Sequence, residues 1–145
     1  MGAIDGVPLL LSAAEVTAHR FDESVTELHN LMKEQGGQTV FVNSLRMATV
    51  QIEISVVGVF SLFEARLQHK FQNGPFFKKL KVHLIELGED QLATDVWHYY
   101  LAVNVLKHGF GSSYKELCKS PDLPFEIIPF LAETRKVNSI NIDVM

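Results

Sequence analysis

Residues 89–109 of the chain read EDQLATDVWHYYLAVNVLKHG, and this stretch decides the predicted fold. Its apolar side chains recur every three or four residues, the spacing that places them on one face of an amphipathic helix. They are Leu92, Val96, Tyr99, Val103 and Leu106. Gly109 follows the last turn, and a glycine just past the final helical residue is a common stop signal. The stretch therefore predicts a helix that ends near His108.

The same spacing recurs upstream of this helix in three further segments. Gly36-Gly37, Asn73-Gly74-Pro75 and Gly88 separate the segments, and glycine and proline are strong breaks in helical patterns. The predicted helices cover residues 12–35, about 40–71, and 75–87. The second of them has a β-branched middle, but its apolar residues keep helical spacing on both sides, so a helix is predicted throughout, with a bend near Gly58.

Two segments have the form of a capping box, in which a hydroxyl and a carboxylate three residues apart satisfy the first free amides of a helix. Ser12 and Glu15 form the first pair, and Ser113 and Glu116 form the second. The first predicts the start of the N-terminal helix at Ser12. The second predicts a short fifth helix that ends before Pro121.

The tail after residue 121 has a different pattern. Prolines punctuate it, and apolar residues alternate with polar ones over residues 140–144, so we expect a short strand or an extended arm there. Together these segments predict a single domain over residues 1–145. Its fold class is all-α, an antiparallel bundle of four or five helices with an irregular C-terminal segment.

Composition restricts the class of protein. The chain has 145 residues, of which 47% are hydrophobic and 21% charged, as in ordinary globular domains. The net charge of −4 excludes a general basic coat for nucleic acid. A single cysteine, Cys118, excludes an intrachain disulfide and fits a reducing compartment. The start has no basic region before its apolar run, and no uninterrupted apolar run approaches about 18 residues, so we expect a cytoplasmic protein without a membrane partner.

A polar stripe lies beside the apolar one on the helix near residues 90–108. Trp97, Tyr100, Asn104 and His108 follow one another at spacings of 3, 4 and 4, and Lys107 adds a positive charge. One interpretation is a groove with aromatic walls, an amide and an imidazole able to act as a general acid or base. The other is structural: the aromatic residues belong to the core, Asn104 bonds to a neighbouring helix, and Lys107 and His108 cap the last carbonyls.

A basic cluster lies on the preceding predicted helix. Lys78, Lys79 and Lys81 belong to a stretch from residue 66 to residue 83 that contains no acidic residue. Such a cluster can attract a polyanion such as RNA, and it can equally be a solvated helical face.

Histidines are frequent, but their spacing does not predict a metal site. The chain has six, and no two have the i, i+4 spacing with an intervening glutamate that a helical zinc site uses. We therefore expect neither a metal site nor a cofactor. His98 and Asp95, three residues apart, are predicted to form a pair on the surface.

The stretch from Phe60 to Leu117 resembles the second half of a HEPN domain (the higher-eukaryote and prokaryote nucleotide-binding family). The resemblance rests on Leu62-Phe63-Glu64-Ala65 in a long helix and on a later helix that ends in Asn-x-x-Lys-His-Gly, residues 104–109. The family signature is an arginine followed after four to six residues by a histidine. Members that keep it are often metal-independent ribonucleases of toxin–antitoxin, phage-defence and RNA-processing systems, with a site completed by dimerisation.

On this resemblance His108 matches the family histidine, and Asn104 matches the polar position after the arginine. The arginine itself should fall at residues 101–103, where none of the residues is basic. Lys107, or Arg66 from a neighbouring helix, would have to supply the cation that a ribonuclease needs. The resemblance therefore implies a homodimer that binds a partner protein, a nucleotide or RNA without cleaving it, in a defence or toxin–antitoxin setting. Two alternatives stay open: a metal-independent endoribonuclease that uses His108, and an unrelated helical interaction protein.

Overall fold

The computed structural model describes residues 6–71 and 74–127 and confirms the predicted all-α class. Within these ranges there are five α-helices and no strand. The helices are α1 (Gly6–Gln35), α2 (Thr39–Leu67), α3 (Phe76–Glu86), α4 (Asp90–His108) and α5 (Ser112–Lys119), and a 3₁₀ turn, Gln68–Lys70, follows α2. The strand or arm predicted over residues 140–144 lies outside the described residues.

Helix α1 already includes the residues before the predicted capping box. The prediction of a start at Ser12 is wrong, because residues 6–11 are already helical. The extra turns are held from outside the helix, since Arg66 of α2 donates a hydrogen bond to the Gly6 carbonyl.

Helices α1 and α2 form a long antiparallel hairpin. They have 30 and 29 residues, which corresponds to about 45 Å each. Leu10 of α1 and Ala48 of α2 are buried along their seam. The segment Thr39–Lys70 is long and apolar enough to cross a membrane, with a mean hydropathy of 1.4 over 18 residues. Single glutamates, Glu53 and Glu64, divide this segment, so it contains no uninterrupted apolar run of membrane-spanning length.

The remaining helices pack around an aromatic core at the C-terminal half of α2. Phe76 and Phe77 at the start of α3 are 3% and 5% exposed. Phe77 stacks on Phe60 of α2 with ring centroids 5.8 Å apart, and Phe76 meets Phe63 edge-on at 5.9 Å. Helix α4 lies against α2 and α3, and α5 packs on α4 through the buried Leu117. This core therefore positions the end of α4 beside α2 and α5.

Candidate functional site

A pocket of about 510 Å³ opens where the end of α4 meets the start of α5. Helix α2 contributes Glu64, and the start of α3 contributes the rings of its two phenylalanines. Helix α4 contributes the predicted residues Tyr100, Asn104, Lys107 and His108, and α5 contributes Ser112 and Ser113. Four of the five residues singled out on α4 thus line one cavity.

The turn that joins α4 to α5 depends on glycine. Gly109 has φ 75° and ψ −148°, a combination that side-chain-bearing residues rarely adopt. Its N–H donates to the Val105 carbonyl at 2.8 Å, and the Gly111 N–H donates to the Gly109 carbonyl at 2.9 Å. These bonds close a tight turn that places His108 and Ser113 at the same pocket.

The fifth helix begins without a side-chain cap. Its N-cap residue is Gly111, so the predicted capping box of Ser113 and Glu116 does not form. The side chain of Glu116 is used elsewhere, since its carboxylate accepts a hydrogen bond from Trp97 Nε1 at 2.9 Å. The amides of the first turn of α5, including those of Ser112 and Ser113, therefore lie at the positive end of the helix without a capping oxygen from Gly111.

The polar residues at the end of α4 are free to meet a ligand. Lys107 and His108 are exposed, and Asn104 is half-buried one turn earlier. Within the described ranges their side chains make no hydrogen bond and no ion pair. The structural interpretation predicted that Asn104 bonds to a neighbouring helix and that Lys107 and His108 cap the last carbonyls. The described residues show none of these bonds.

Helix α2 contributes the carboxylate of Glu64 to the pocket, but the guanidinium of Arg66 lies outside the pocket. Glu64 lines the pocket, whereas Arg66, two residues later, points along the hairpin to the Gly6 carbonyl. The arginine considered as a replacement for the missing family arginine is therefore engaged at α1. Lys107 is the cation that lies at the pocket.

Tyr100 is fixed between two other rings. It stacks on Phe77 with centroids 4.6 Å apart and planes at 22°, and the Trp97 ring lies 5.1 Å away on α4. Trp97 is itself held by Glu116 and by Lys81, whose Nζ lies 5.0 Å from the centre of the indole ring. Trp97, a predicted wall of the groove, therefore supports Tyr100 from behind instead of lining the pocket.

The structure divides the predicted lysine cluster. Lys78 and Lys79 border a shallow hollow on α3 together with His83 and Glu86. Lys81 faces the other way and covers the Trp97 ring. The three lysines therefore do not line the pocket, although they lie on the helix whose first residues form one of its walls.

The prediction of a surface pair between His98 and Asp95 is wrong. His98 is only 6% exposed, and its buried Nδ1 has no hydrogen-bond partner among the residues described. Asp95 accepts a hydrogen bond from Gln91 Nε2 at 3.0 Å instead. The pair does not form because the His98 side chain is buried on the packed side of α4, while Asp95 bonds to Gln91 one turn earlier on the same helix.

The predicted site residues do not include the pocket residues that come from α2 and from the start of α3. Glu64 belongs to the quoted family resemblance, but nothing in the local pattern of α2 marks it as a pocket residue. The sequence pattern at Phe76 and Phe77 of α3 indicates only that these residues belong to the core. In the described part of the chain there is no group of three metal-ligating side chains.

Comparison of the chain with protein families, with characterised proteins and with solved structures gave no match. The resemblance to HEPN domains therefore stays a prediction, and the chemistry of the pocket carries the functional argument.

Proposed function

We propose that the protein binds the phosphate of a nucleotide or of an RNA strand in this pocket without cleaving it. One observation carries the proposal: α4 and α5 meet across a tight glycine turn, so that Lys107, His108 and Ser113 line the same cavity. An ammonium group, an imidazole and the amides of a helix N-terminus all bind phosphate oxygens. Their convergence gives a phosphate three kinds of donor within one pocket.

The rest of the cavity suits the remainder of a nucleotide. Tyr100 and the phenylalanines of α3 offer aromatic surface, on which bases stack. The Asn104 amide can both donate to and accept from the edge of a base, and Glu64 can accept a hydrogen bond from an amino group or a ribose hydroxyl. The volume of about 510 Å³ lies within the usual range for small-molecule sites.

The absence of turnover follows from the charges around the pocket. The positions where the family arginine would stand are apolar, and Leu101 and Val103 are 3% and 4% exposed within the core. No guanidinium from these positions can stabilise the extra charge of a phosphorane. The Glu64 carboxylate would raise the energy of that charge further. In the setting that the resemblance implies, defence or toxin–antitoxin, the protein would hold its ligand for a partner.

The proposal can be tested by titrating the protein with a nucleoside monophosphate and with the corresponding nucleoside. Trp97 is the only tryptophan in the chain and contacts Tyr100, so its fluorescence reports on the pocket. We expect the monophosphate to bind more tightly than the nucleoside, and Lys107→Ala to weaken its binding by roughly tenfold. Lys33→Ala, which removes the same charge from the end of α1, is the matched control and should have no effect. Equal binding of both ligands, or equal binding by both variants, would contradict the proposal.

A short oligoribonucleotide distinguishes RNA from a free nucleotide. An RNA strand that runs from the pocket along α3 would meet Lys78, which is exposed. Lys78→Ala should then weaken oligonucleotide binding and reduce its salt dependence by about one ion, while leaving the mononucleotide unaffected. Binding of the mononucleotide alone would assign the pocket to a free nucleotide.

A ribonuclease is the second candidate function. The observation that favours it is the joint position of Lys107 and His108 at the pocket, since a cation and an imidazole are the minimum that phosphodiester cleavage by this route requires.

A further inference from the structure

An exposed apolar stripe runs along α2 beside the face that packs on α1. Three or four residues separate its successive members, so they share one face of the helix. Met47, Val50 and Ile54 are 63%, 51% and 67% exposed, which is unusual for large apolar side chains in a row. We call this face the outer stripe and define it by Asn43, Met47, Val50, Ile54, Gly58, Ser61 and Ala65.

The outer stripe of one copy can fit the outer stripe of a second copy that runs in the opposite direction. Its large residues precede Ile54 and its small residues follow, at equal distances in sequence. Val50 and Gly58 both lie four residues from Ile54 (54 − 50 = 58 − 54 = 4). Met47 and Ser61 both lie seven residues from it (54 − 47 = 61 − 54 = 7). An antiparallel second copy would therefore place Val50 against Gly58 and Met47 against Ser61, with Ile54 against Ile54 of the second copy at the centre.

We propose that a second copy of this chain covers the outer stripe, with the two α2 helices packed antiparallel about a two-fold axis at Ile54. A two-fold contact is isologous, so the same patch must fit itself, as this one does. The Gly58 face is open, because a Cβ built there meets nothing within 4 Å. A side chain of the second copy can therefore approach the backbone of α2 at this point.

Charges beside the stripe fit the same arrangement. Arg46 and Glu64 are 18 residues apart, which is five full turns, so both lie on one edge of α2. Two-fold pairing brings this edge against the same edge of the second copy. Arg46 lies eight residues before Ile54 and Glu64 lies ten after it. In the antiparallel pair, Arg46 of one copy and Glu64 of the other are therefore offset along the helix axis by two residues, or about 3 Å. Each dimer would contain two such pairs, and Arg46 of the second copy would stand beside the pocket that Glu64 lines.

The available surface is large enough for a stable contact. Ile54 and Gly58 also line two apolar hollows between α1 and α2, which continue the stripe sideways. Stripe and hollows together extend over residues 43–65 of α2 and across two helices, roughly 33 Å by 20 Å, or about 660 Å². This area falls within the roughly 600–1,000 Å² that each partner of a standard-size interface buries.

The test measures the mass of the full chain in solution by light scattering and the dimer dissociation constant by sedimentation. We expect twice the chain mass at micromolar concentration. Gly58→Leu should weaken the dimer at least a hundredfold, because its side chain would collide with Val50 of the second copy. The same change replaces glycine with a good helix former in open space, so the monomer should remain folded by circular dichroism.

Charge reversal tests the dimer independently of the packing at Gly58. Arg46→Glu or Glu64→Arg alone should weaken the dimer by roughly tenfold, and the double variant should recover most of the loss. Val82→Glu, at an exposed apolar residue of α3, is the control and should leave the mass unchanged. A monomer at 100 µM, a dimer insensitive to Gly58→Leu, or a monomer that floats with phosphatidylcholine vesicles would overturn the proposal, the last in favour of a lipid surface. The measurement needs no nucleotide, so its outcome is independent of the proposed binding function.

Discussion

Phe77 of α3 and Tyr100 of α4 stack with ring centroids 4.6 Å apart and an angle of 22° between their planes. Phe77 is almost completely buried, while Tyr100 is half-buried and reaches the pocket. This contact joins the aromatic core to the candidate site. The position of the Tyr100 ring therefore depends on how well the core is packed.

Replacing Phe77 should damage stability and binding together. Phe77→Ala removes a buried ring and leaves a cavity, so we expect a loss of about 3–5 kcal/mol in the free energy of unfolding, measured by urea denaturation. Phe110→Ala, at a phenylalanine that is 44% exposed, is the matched control and should cost much less. Similar losses for the two variants would mean that the Phe77–Tyr100 contact is not central to the core.

The glycine turn can be tested without changing any charge. Gly109→Ala forces a side-chain-bearing residue to adopt φ 75° and ψ −148°, which should destabilise the protein by about 1–3 kcal/mol. Steric contact is not the cause, since the space around Gly109 is open within 4 Å. We also expect weaker binding of the monophosphate, because strain relief would move His108 away from Ser113.

The control for this prediction is Gly111→Ala, two residues later in the same turn. Gly111 also has open space around it, but its φ of −94° is accessible to alanine. Its cost should be limited to about 0.5–1 kcal/mol, the difference between glycine and alanine at an N-cap. If Gly111→Ala proves as harmful as Gly109→Ala, the conformation of Gly109 is not what shapes the turn.

Capping α5 should change stability and ligand binding in opposite directions. Gly111→Asp provides a carboxylate that can accept hydrogen bonds from the first amides of α5, and we expect a gain of about 0.5–1 kcal/mol in thermal or urea unfolding. The same carboxylate would occupy the place of a phosphate and repel it. Monophosphate affinity should therefore fall by at least tenfold, as measured by calorimetry; unchanged affinity would move the phosphate away from the start of α5.

Catalysis is tested directly with labelled RNA. The proposed function predicts no cleavage by the wild-type protein, because the pocket contains Glu64 and lacks an arginine at positions 101–103. Cleavage by the wild type that His108→Ala abolishes would favour the ribonuclease instead. Equal cleavage by both proteins would indicate a contaminating enzyme, and Lys33→Ala serves as the variant that should behave as the wild type in every case.

The helices and the local part of the site were predictable from the sequence. The apolar stripe and the final glycine predicted α4 to within a residue at its end, since helical hydrogen bonds join residues only four apart. The same local geometry placed Asn104 and His108 on one face of this helix. The start predicted at Ser12 was wrong because the helical residues before it are held by contacts with α2, such as the hydrogen bond from Arg66 to the Gly6 carbonyl.

Tertiary packing decided the rest. The sequence determined an all-α chain and the spacing of its candidate residues, because both are consequences of helical periodicity. Only the folded structure brought Glu64, Tyr100 and Ser113 to one pocket and turned Trp97 and Lys81 towards each other, because these contacts join residues far apart in the chain. Such contacts depend on the shapes of several helices at once, and no periodic pattern within one segment contains that information.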